Sequence, residues 1–330
     1  MQSSWRCCRL MDGKPFNLKL TALLLLLGIW IVPAHPCGAA PALGPIAVFL
    51  SDTEAAYTEP VSAFQDEIQI PVQIFNLKGE IDNAPREMAR IFAIHPVLIL
   101  ALGAKAAYTA KVWTADHPQI PVIFALVLNW RRYKLLDGQN NIAGIASEVA
   151  PGTQFVNLTM TSPQIKRIGV IYSRLHSSET IRQAREAAVK LGLTLVARPI
   201  KRPMEFRQAY KQISEQIDSF WMIADPVAYT LANVDWIKKR CTRDRLICLG
   251  QSRNIAEVGV LLAVEPDMAN VGMQAASMAK NILLNRVSPK QIGVMPPLGT
   301  RLVLNAKTAE TIDLKLNPVV QDLAGEIIDR

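Results

Sequence analysis

The residues with the clearest potential for chemistry follow the predicted strands in both halves of the chain. In chain order they are Ser51, Asp52, Gly103, Asn129, Trp130, Arg174, Asp225, Gln251 and Glu265. Their side chains are those that hold a small charged or polar ligand: amides, carboxylates, a hydroxyl, a guanidinium and an aromatic ring. Trp130 and Tyr229 could stack on such a ligand, although an aromatic residue at the end of a strand or helix more often belongs to the core.

Each charged candidate has a specific binding role and a structural alternative. Gly103 stands between a strand and a helix, where backbone N–H groups can approach a ligand carboxylate. Arg174 could bind a carboxylate through two hydrogen bonds, and Asp225 and Glu265 could hold an ammonium group. The alternatives are a plain tight turn for Gly103 and a helix cap or surface charge for the other three.

Sequence patterns for catalysis and cofactors are absent. The chain contains no zinc-protease, paired-cysteine or EF-hand pattern, and neither of the glycine-rich phosphate-binding patterns. The nucleophile-elbow pattern is also missing. Three histidines follow residue 39. His95 and His117 are read as turn residues, and His176 is a loop residue after a strand that could face the cleft. We therefore predict a protein that is not an enzyme and that uses no cofactor or metal.

The N-terminus has the composition of a secretory signal peptide over residues 1–39. Basic residues precede the apolar run Leu20–Val32, and small residues follow it around Cys37. That run, of about thirteen residues, is short for the roughly 20 that span a bilayer. Export to the periplasm is predicted, with the start at Met1 or Met11. An uncleaved anchor and a lipid on Cys37 are the alternatives.

Charge and cysteine content narrow the range of partners. The chain has 36 Lys and Arg against 28 Asp and Glu, a net charge of +8. The basic residues are scattered apart from Lys201-Arg202 and Lys238–Arg240, which are typical of solvated faces, so nucleic-acid binding is not expected. Cys241 and Cys248 remain after processing, and an oxidising compartment would permit a disulfide between them. A buried thiol in the apolar run around Cys248 is the alternative.

Apolar runs alternate with segments of helical period through both halves of the chain. The predicted strands are Ile46–Leu50, Val72–Phe75, Val97–Leu100, Val122–Leu126, Ile168–Tyr172, Leu193–Ala197, Phe220–Ala224, Leu246–Leu249, Val260–Val264 and Arg301–Asn305. Near-continuous apolar strands separated by helices predict parallel sheets covered on both faces. A polar loop at residues 131–141 divides the pattern into two doubly wound α/β lobes. In such sheets the ligand lies beyond the carboxyl ends of the strands, here in a cleft between the lobes.

Several segments together resemble a known family. They are Ile120–Phe124, Asn141–Ile145, Lys166–Tyr172, Asp225-Pro226, Val264–Met268 with Gly272 and Gln274, and Leu302–Ala309. Their order and spacing are similar to those of the substrate-binding proteins of ABC transporters. More narrowly, they resemble the periplasmic subfamily that includes tryptophan- and tyrosine-type binding proteins.

The resemblance implies a type I periplasmic-binding fold whose chain crosses between two lobes three times. The crossings would fall near 147–151, 265–267 and 298–301. The first lobe would then comprise residues 40–148 and 267–299, and the second lobe 149–266 and 300–330. The chain departs from the family pattern at Leu102-Gly103 and Asn129-Trp130, and keeps the acidic opening after the first strand only in part. These are ligand-facing places, so the amino-acid ligand of the family does not carry over directly.

The function that follows is capture of a small organic ligand between the lobes and its delivery to an ABC permease in the inner membrane. An amino-acid-like molecule is the first guess, and the protein is expected to act as a monomer. The alternative is a periplasmic sensory module that reports the same kind of ligand to a membrane kinase or receptor. Both functions would use the same lobes.

Overall fold

The structure, a computed structural model, describes residues 44–52 and 57–329. The predicted signal peptide, with Cys37, lies outside the described residues. So do Thr53 and Glu54 in the loop after the first strand.

The described chain forms thirteen strands and twelve α-helices, taken here in four consecutive segments. The first contains β1 Ile46–Leu50, α1 Thr58–Glu67, β2 Val72–Asn76, α2 Ala84–Ala93, β3 Leu98–Leu102, α3 Ala104–Trp113, β4 Val122–Val127 and β5 Ile142–Ala146. The second contains α4 Pro151–Thr161, β6 Arg167–Ser173, α5 Arg174–Lys190, β7 Thr194–Ile200, α6 Phe206–Ile213, β8 Ser219–Trp221, α7 Leu231–Arg243, β9 Ile247–Gly250, α8 Arg253–Glu257 and β10 Leu262–Pro266. The third contains α9 Met268–Leu283, α10 Pro289–Ile292 and β11 Val294–Met295. The fourth contains β12 Thr300–Asn305, α11 Ala306–Thr311, α12 Pro318–Leu323 and β13 Glu326–Ile328.

Two sheets organise these elements into two lobes. The first sheet has the strand order β11-β5-β4-β3-β1-β2, and every pair in it is parallel. The second has the order β13-β12-β10-β9-β8-β6-β7 and is parallel except for the antiparallel pair β10–β12. The first sheet takes strands from the first and third segments, and the second from the second and fourth. The chain therefore passes between lobes after β5, after β10 and after β11.

Strand alternation explains how each sheet carries helices on both faces. In β1, Ile46, Val48 and Leu50 belong to the core shared with α1 and α9, whereas Ala47 and Phe49 belong to the core shared with α2 and α3. The second sheet is covered in the same way, by α4 and α5 on one face and α6 and α7 on the other. Because both faces are buried, the strands read as continuous apolar runs.

The structure differs from the sequence prediction in two main places, besides short elements that were not predicted: α8, α10, β11, α12 and β13. Between the polar loop at 131–141 and β6 it adds β5 and α4, which were not predicted from periodicity. β5 is only IAGIA, and its Gly144 leaves room for the Phe124 ring, which would lie 2.3 Å from a β-carbon there. The second difference is β12, which runs antiparallel to β10 in a sheet predicted to be parallel.

None of the helices in the described part of the chain could span a lipid bilayer.

Candidate functional site

A cavity of about 750 Å³ opens between the two lobes. The first lobe contributes the segment after β4, and the second lobe contributes the start of α5 and the loops after β8 and β9. The connections after β5 and around β11 form part of its wall. The cavity thus lies where the carboxyl ends of parallel strands from both sheets meet, which is the position at which open α/β sheets bind ligands.

The first-lobe wall is built on a tight turn after β4. Asn129 has a φ of +49°, a left-handed conformation that asparagine adopts more readily than most residues. A 3-10 helix, Trp130–Tyr133, follows it. The Trp130 ring packs 6.1 Å from the Phe124 ring, centroid to centroid, and the Arg131 guanidinium lies 4.4 Å above the Trp130 ring. This stacking holds a cation in the cavity wall.

Glu148 lies in the wall at the first crossing between the lobes. The backbone N–H of Asn129 donates a hydrogen bond to its Oε1. Burial raises the pKa of the Glu148 carboxyl above its usual range, and the Asn129 N–H and the nearby charge of Arg131 only partly offset that effect. This carboxylate therefore joins the turn after β4 to the crossing.

The second-lobe wall is the first turns of α5, which begins at Arg174. Arg174 and Leu175 are exposed to the cavity, and Glu179 lies one turn further along the helix. Hydrogen bonds from Arg182 lower the pKa of Glu179 to about 2, with smaller contributions from Gln183 and from the charge of Arg131 in the first lobe. Charges of opposite sign from the two lobes therefore influence each other across the cavity.

Asp225 holds the loops of the second-lobe wall together. Its Oδ2 accepts hydrogen bonds from the Ser173 N–H and the Ser177 hydroxyl, both at 2.7 Å. Its Oδ1 accepts from the N–H groups of Val227 and Ala228, both at 2.9 Å. The side chain is buried and connects the start of α5 to the loop after β8, so it fixes the position of the wall.

Gln154 supports the cavity from the side of α4. Its Nε2 donates to the carbonyl of Val149 at 2.7 Å, and its Oε1 accepts from the indole N–H of Trp221 at 2.8 Å. The Trp221 ring packs edge-on against Phe155 with a centroid distance of 5.0 Å. The first crossing is thereby anchored to the core of the second lobe.

Glu265 and Gln251 occupy different environments near the ends of β10 and β9. Glu265 is buried, and its oxygens accept from the Arg253 N–H at 2.7 Å and lie 3.4 Å from the Arg301 Nε. It does not contribute to the cavity wall. Gln251 does, and its buried Oε1 has no hydrogen-bond partner among the described residues.

The N-terminus of α3, at Gly103, is covered by side chains of the protein rather than open to a ligand. Gly103 has a φ of +86°, and a β-carbon there would lie 2.5 Å from the Tyr57 hydroxyl and 2.6 Å from the Ser51 hydroxyl. The Ser51 Oγ accepts the Ala106 N–H at 2.9 Å, so it caps α3 from the end of β1. The adjacent Asp52 accepts the Asn76 side chain at its backbone carbonyl, at 3.2 Å.

The structure therefore brings four of the predicted binding residues into one wall: Asn129, Trp130, Arg174 and Gln251. The other five, Ser51, Asp52, Gly103, Asp225 and Glu265, do not line it. Tyr229 also lies outside it, where its hydroxyl donates to the Trp221 carbonyl at 3.1 Å and burial raises its pKa.

Sequence reasoning missed several residues of the wall, notably Arg131, Glu148, Gln154 and Glu179. Arg131 lies in the segment read as a polar loop, and Glu179 lies in the segment Ser178–Lys190, for which the sequence predicts a helix and no role in binding. Glu148 alone carried a usable signal, because it falls within the crossing that the family resemblance implied at 147–151.

Cys241 near the end of α7 and Cys248 in β9 are joined by a disulfide, with their Cα atoms 6.3 Å apart. Both residues are buried. In the described part of the chain, no group of three or more His, Cys, Asp and Glu residues could hold a metal ion.

Two parallel-stranded lobes, three crossings and a cavity between them define the type I periplasmic-binding fold, as the sequence resemblance predicted. The chain belongs to the family of ABC transporter substrate binding proteins, whose sequence pattern matches residues 64–328.

Solved structures share this fold at low sequence identity. An ABC domain from Streptococcus pneumonia, in complex with L-Trp, has 19% identity and a TM-score of 0.56, covering 86% of this chain and 100% of its own. A ligand-free, open substrate binding protein with adhesive properties from Clostridium difficile has 18% identity and a TM-score of 0.68, covering 87% of this chain and 100% of its own. No curated protein sequence matches this chain.

Proposed function

We propose that this protein is an extracytoplasmic solute-binding protein that captures a small organic ligand between its lobes and delivers it to an ABC permease. The observation that carries the proposal is the cavity of about 750 Å³, whose wall combines both lobes and two of the crossings. That volume lies within the range typical of small-molecule sites. A ligand touching both lobes stabilises the closed arrangement relative to the open one, which drives hinge closure.

Amino acids are the first ligands to test. Support comes from the L-Trp complex of the Streptococcus pneumonia structure, which has the same fold. Arg174, Asn129 and Gln251 would make polar contacts, and Trp130 would contact the body of the ligand. Export is supported by the basic, apolar and small residues that follow one another within residues 1–39.

Thermal unfolding of the refolded, ligand-free chain tests binding directly. A ligand at 100 times its Kd stabilises the folded state by about 2.7 kcal/mol, which raises the unfolding temperature measurably. Ala224→Trp places a large side chain in the cavity and should abolish the ligand-dependent rise in unfolding temperature. Ala232→Trp, on the exposed start of α7, should leave that rise unchanged. A shift that survives Ala224→Trp would place the ligand elsewhere.

Delivery to a permease needs a separate experiment in cells. Deleting the protein should abolish uptake of the radiolabelled ligand found in the unfolding assay, and restoring the gene should restore it. Normal uptake combined with loss of a ligand-dependent transcriptional response would favour the sensory alternative over transport.

A further inference from the structure

A second cavity, of about 700 Å³, lies at the carboxyl end of β6 in the second lobe and is called the β6 cavity here. Ser173 and Arg174 line it at the junction of β6 and α5, and Ile200 and Lys201 line it at the end of β7. Ser173 and Ile200 are paired in the register of the two strands. The residues that follow them, Arg174 and Lys201, therefore leave the sheet side by side.

The position of the β6 cavity in the sheet is one at which ligands bind. The chain continues from β6 to β7 on one side and then returns to β8 on the other side of β6. Val227, in the loop after β8, completes the wall. Open α/β sheets bind ligands beyond the carboxyl ends of the strands where the strand order reverses in this way.

The hydroxyl of Ser173 is an unused hydrogen-bonding group in this wall. Ser173 is 3% exposed, and its Oγ has no hydrogen-bond partner in the described structure. The first lobe offers a comparison, because Ser51 follows β1, the strand that lies between β2 and β3 as β6 lies between β7 and β8. The Ser51 Oγ accepts the Ala106 N–H at 2.9 Å. A buried polar group without a partner costs free energy, so the Ser173 hydroxyl points to a ligand that completes its hydrogen bonding.

The start of α5 adds backbone donors at the same place. Ser173 is the N-cap of this 17-residue helix, and its side chain accepts no capping hydrogen bond. Over the described ranges, the backbone N–H groups of Leu175 and His176, in the first turn, have no acceptor. Free N–H groups at a helix N-terminus favour an anion.

The charged side chains of the wall give it a positive surplus. Arg174 and Lys201 contribute two cations, and within the part of the chain that the structure describes neither charged group has an ion-pair or hydrogen-bond partner. The acidic residue of the wall is Glu205, which accepts the Lys201 backbone N–H at 2.9 Å and the Arg202 Nε at 3.0 Å. These hydrogen bonds lower the pKa of Glu205 and offset its charge.

The rest of the wall is apolar. Leu175 is 87% exposed, and it lies in the wall beside the two cations. Pro199, Ile200 and Val227 supply the remaining apolar surface. An inorganic ion would use only the polar half of such a wall, whereas an organic anion would use both halves.

We propose that the β6 cavity is a second ligand site, in addition to the cavity between the lobes, and that it binds a small organic anion with an apolar body. The oxyanion group accepts hydrogen bonds from the Ser173 hydroxyl and from the first turn of α5, and Lys201 attracts it. The body of the ligand lies against Leu175 and Val227. Arg174 and Leu175 line both cavities, so the two sites adjoin at the start of α5.

Three aromatic compounds of similar size test the charge requirement. Benzoate, phenyl phosphate and benzyl alcohol are titrated into the refolded, 15N-labelled chain at constant ionic strength, and the backbone amide signals are followed by NMR. Benzoate or phenyl phosphate should shift the signals of Leu175 and His176 and bind at least about tenfold more tightly than benzyl alcohol, because charge-assisted hydrogen bonds are the stronger ones. The tighter of the two anions identifies the group as a carboxylate or a phosphate. The Asn129 signal, from the inter-lobe cavity, should not move.

Ser173→Ala tests the hydroxyl against a matched serine. It should weaken binding of the anion about tenfold, the loss of one hydrogen bond to a charged group. The unfolding temperature should stay the same or rise, because an unpaired buried hydroxyl is removed. Ser219→Ala is the control, since the buried hydroxyl of Ser219 also has no partner among the described residues but lies at the start of β8, away from the β6 cavity. It should change the affinity less than about twofold.

Lys201→Gln tests the cation independently of the buried serine. It should weaken the anion about threefold, as expected for one exposed charge. Lys211→Gln, an exposed residue of α6 outside the wall, should leave the affinity unchanged. Circular dichroism confirms that all four variants fold.

Each contrary outcome overturns a defined part of the inference. Benzyl alcohol binding as tightly as the anions would overturn the anion, and full affinity in Ser173→Ala would overturn the role of the hydroxyl. Signal shifts at Asn129 without shifts at Leu175 and His176 would place the anion in the inter-lobe cavity and overturn the second site. Silence from all three compounds would overturn the inference and leave the solute-binding function untouched, because that function is tested separately through Ala224→Trp.

Discussion

At the scale of single residues, Glu148 shows how the cavity is kept in shape at an electrostatic cost. Its carboxylate is needed to accept the Asn129 N–H in the left-handed turn after β4. The same burial that forms the cavity wall raises its pKa. The ionised form is therefore less favourable in the folded chain than in the unfolded chain. Burial of Glu148 lowers the stability of the fold, while its hydrogen bond fixes the shape of the turn after β4.

The raised pKa of Glu148 makes the stability of the folded chain depend on pH, and Glu148→Gln should remove that contribution. A raised folded-state pKa means that the contribution of Glu148 to stability is fully present below the unfolded pKa, near 4.3, and is lost as the pH rises through the folded pKa. The unfolding temperature of Glu148→Gln relative to the parent should therefore be higher at pH 7 than at pH 4. Thermal scans of both proteins across this range check it, and a difference that is constant with pH would contradict it.

Asp225 is expected to be a determinant of stability. Replacing it by asparagine puts an NH2 group where the carboxylate accepts buried N–H and O–H donors, which leaves donors unpaired. We expect a loss of about 2–4 kcal/mol in the free energy of unfolding. Urea titration measures it. The control is Asp235→Asn, a half-exposed residue paired with Lys239 on α7, for which a change under about 1 kcal/mol is expected. Equal effects of the two variants would refute the assignment.

At the scale of elements, the contact between α1 and α9 depends on one glycine. A β-carbon on Gly272 would lie 2.3 Å from the Pro60 carbonyl oxygen and 2.9 Å from the Ala63 β-carbon. Any side chain at this position pushes the two helices apart, and both helices cover the same face of the first sheet. The close approach of α1 and α9 therefore requires a residue without a side chain at position 272.

Gly272→Ala should therefore destabilise the first lobe, although alanine favours helix. We expect a cost of about 1–3 kcal/mol from overpacking. Gly152→Ala is the matched control, because its added methyl group meets only the Ala187 β-carbon, at an ordinary 3.7 Å. Chemical unfolding of both variants distinguishes them, and the prediction fails if Gly272→Ala is as stable as the parent.

How far each element could be predicted follows from its local sequence. β1, β3 and β4 are continuous apolar runs, so the local sequence alone located each of them to within about two residues. β5 and the two-residue β11 are stabilised by pairing with neighbours, which a local pattern does not contain. The same holds for the residues of the cavity wall. Arg174 could be predicted because it directly follows a strand. Arg131 and Glu148 reach the cavity through a turn and a crossing, and the geometry of both depends on contacts distant in sequence.

At the scale of the whole molecule, charged contacts span the lobes near the hinge. Arg301 on β12 lies 3.4 Å from Glu265 of its own lobe, Nε to Oε1, and its Nη2 lies 4.0 Å from an Oε2 of Glu59 on α1 of the first lobe. Arg131 and Glu179 influence each other across the cavity. Contacts of this kind change when the lobes move, so they couple ligand binding to the angle between the lobes.

Closure predicts that the molecule becomes more compact on binding. Small-angle X-ray scattering of a chain that begins at residue 40 should give a radius of gyration of about 19 Å, the value for a globular protein of about 290 residues, and saturating ligand should reduce it. Ala224→Trp, which blocks the cavity, should show no such reduction. A radius that stays constant while the ligand is bound, as shown by calorimetry, would mean that binding occurs without hinge closure.

The alternation of the chain between its lobes has a consequence for its synthesis. The ribosome releases residues from the N-terminus, but one face of the first sheet is covered by α9, and the edge of β5 is paired only when Val294 and Met295 are available. The second lobe likewise waits for β12 and β13. A nascent chain that stops before residue 268 would expose an apolar sheet face, so neither lobe can be completed until nearly the whole polypeptide has been made.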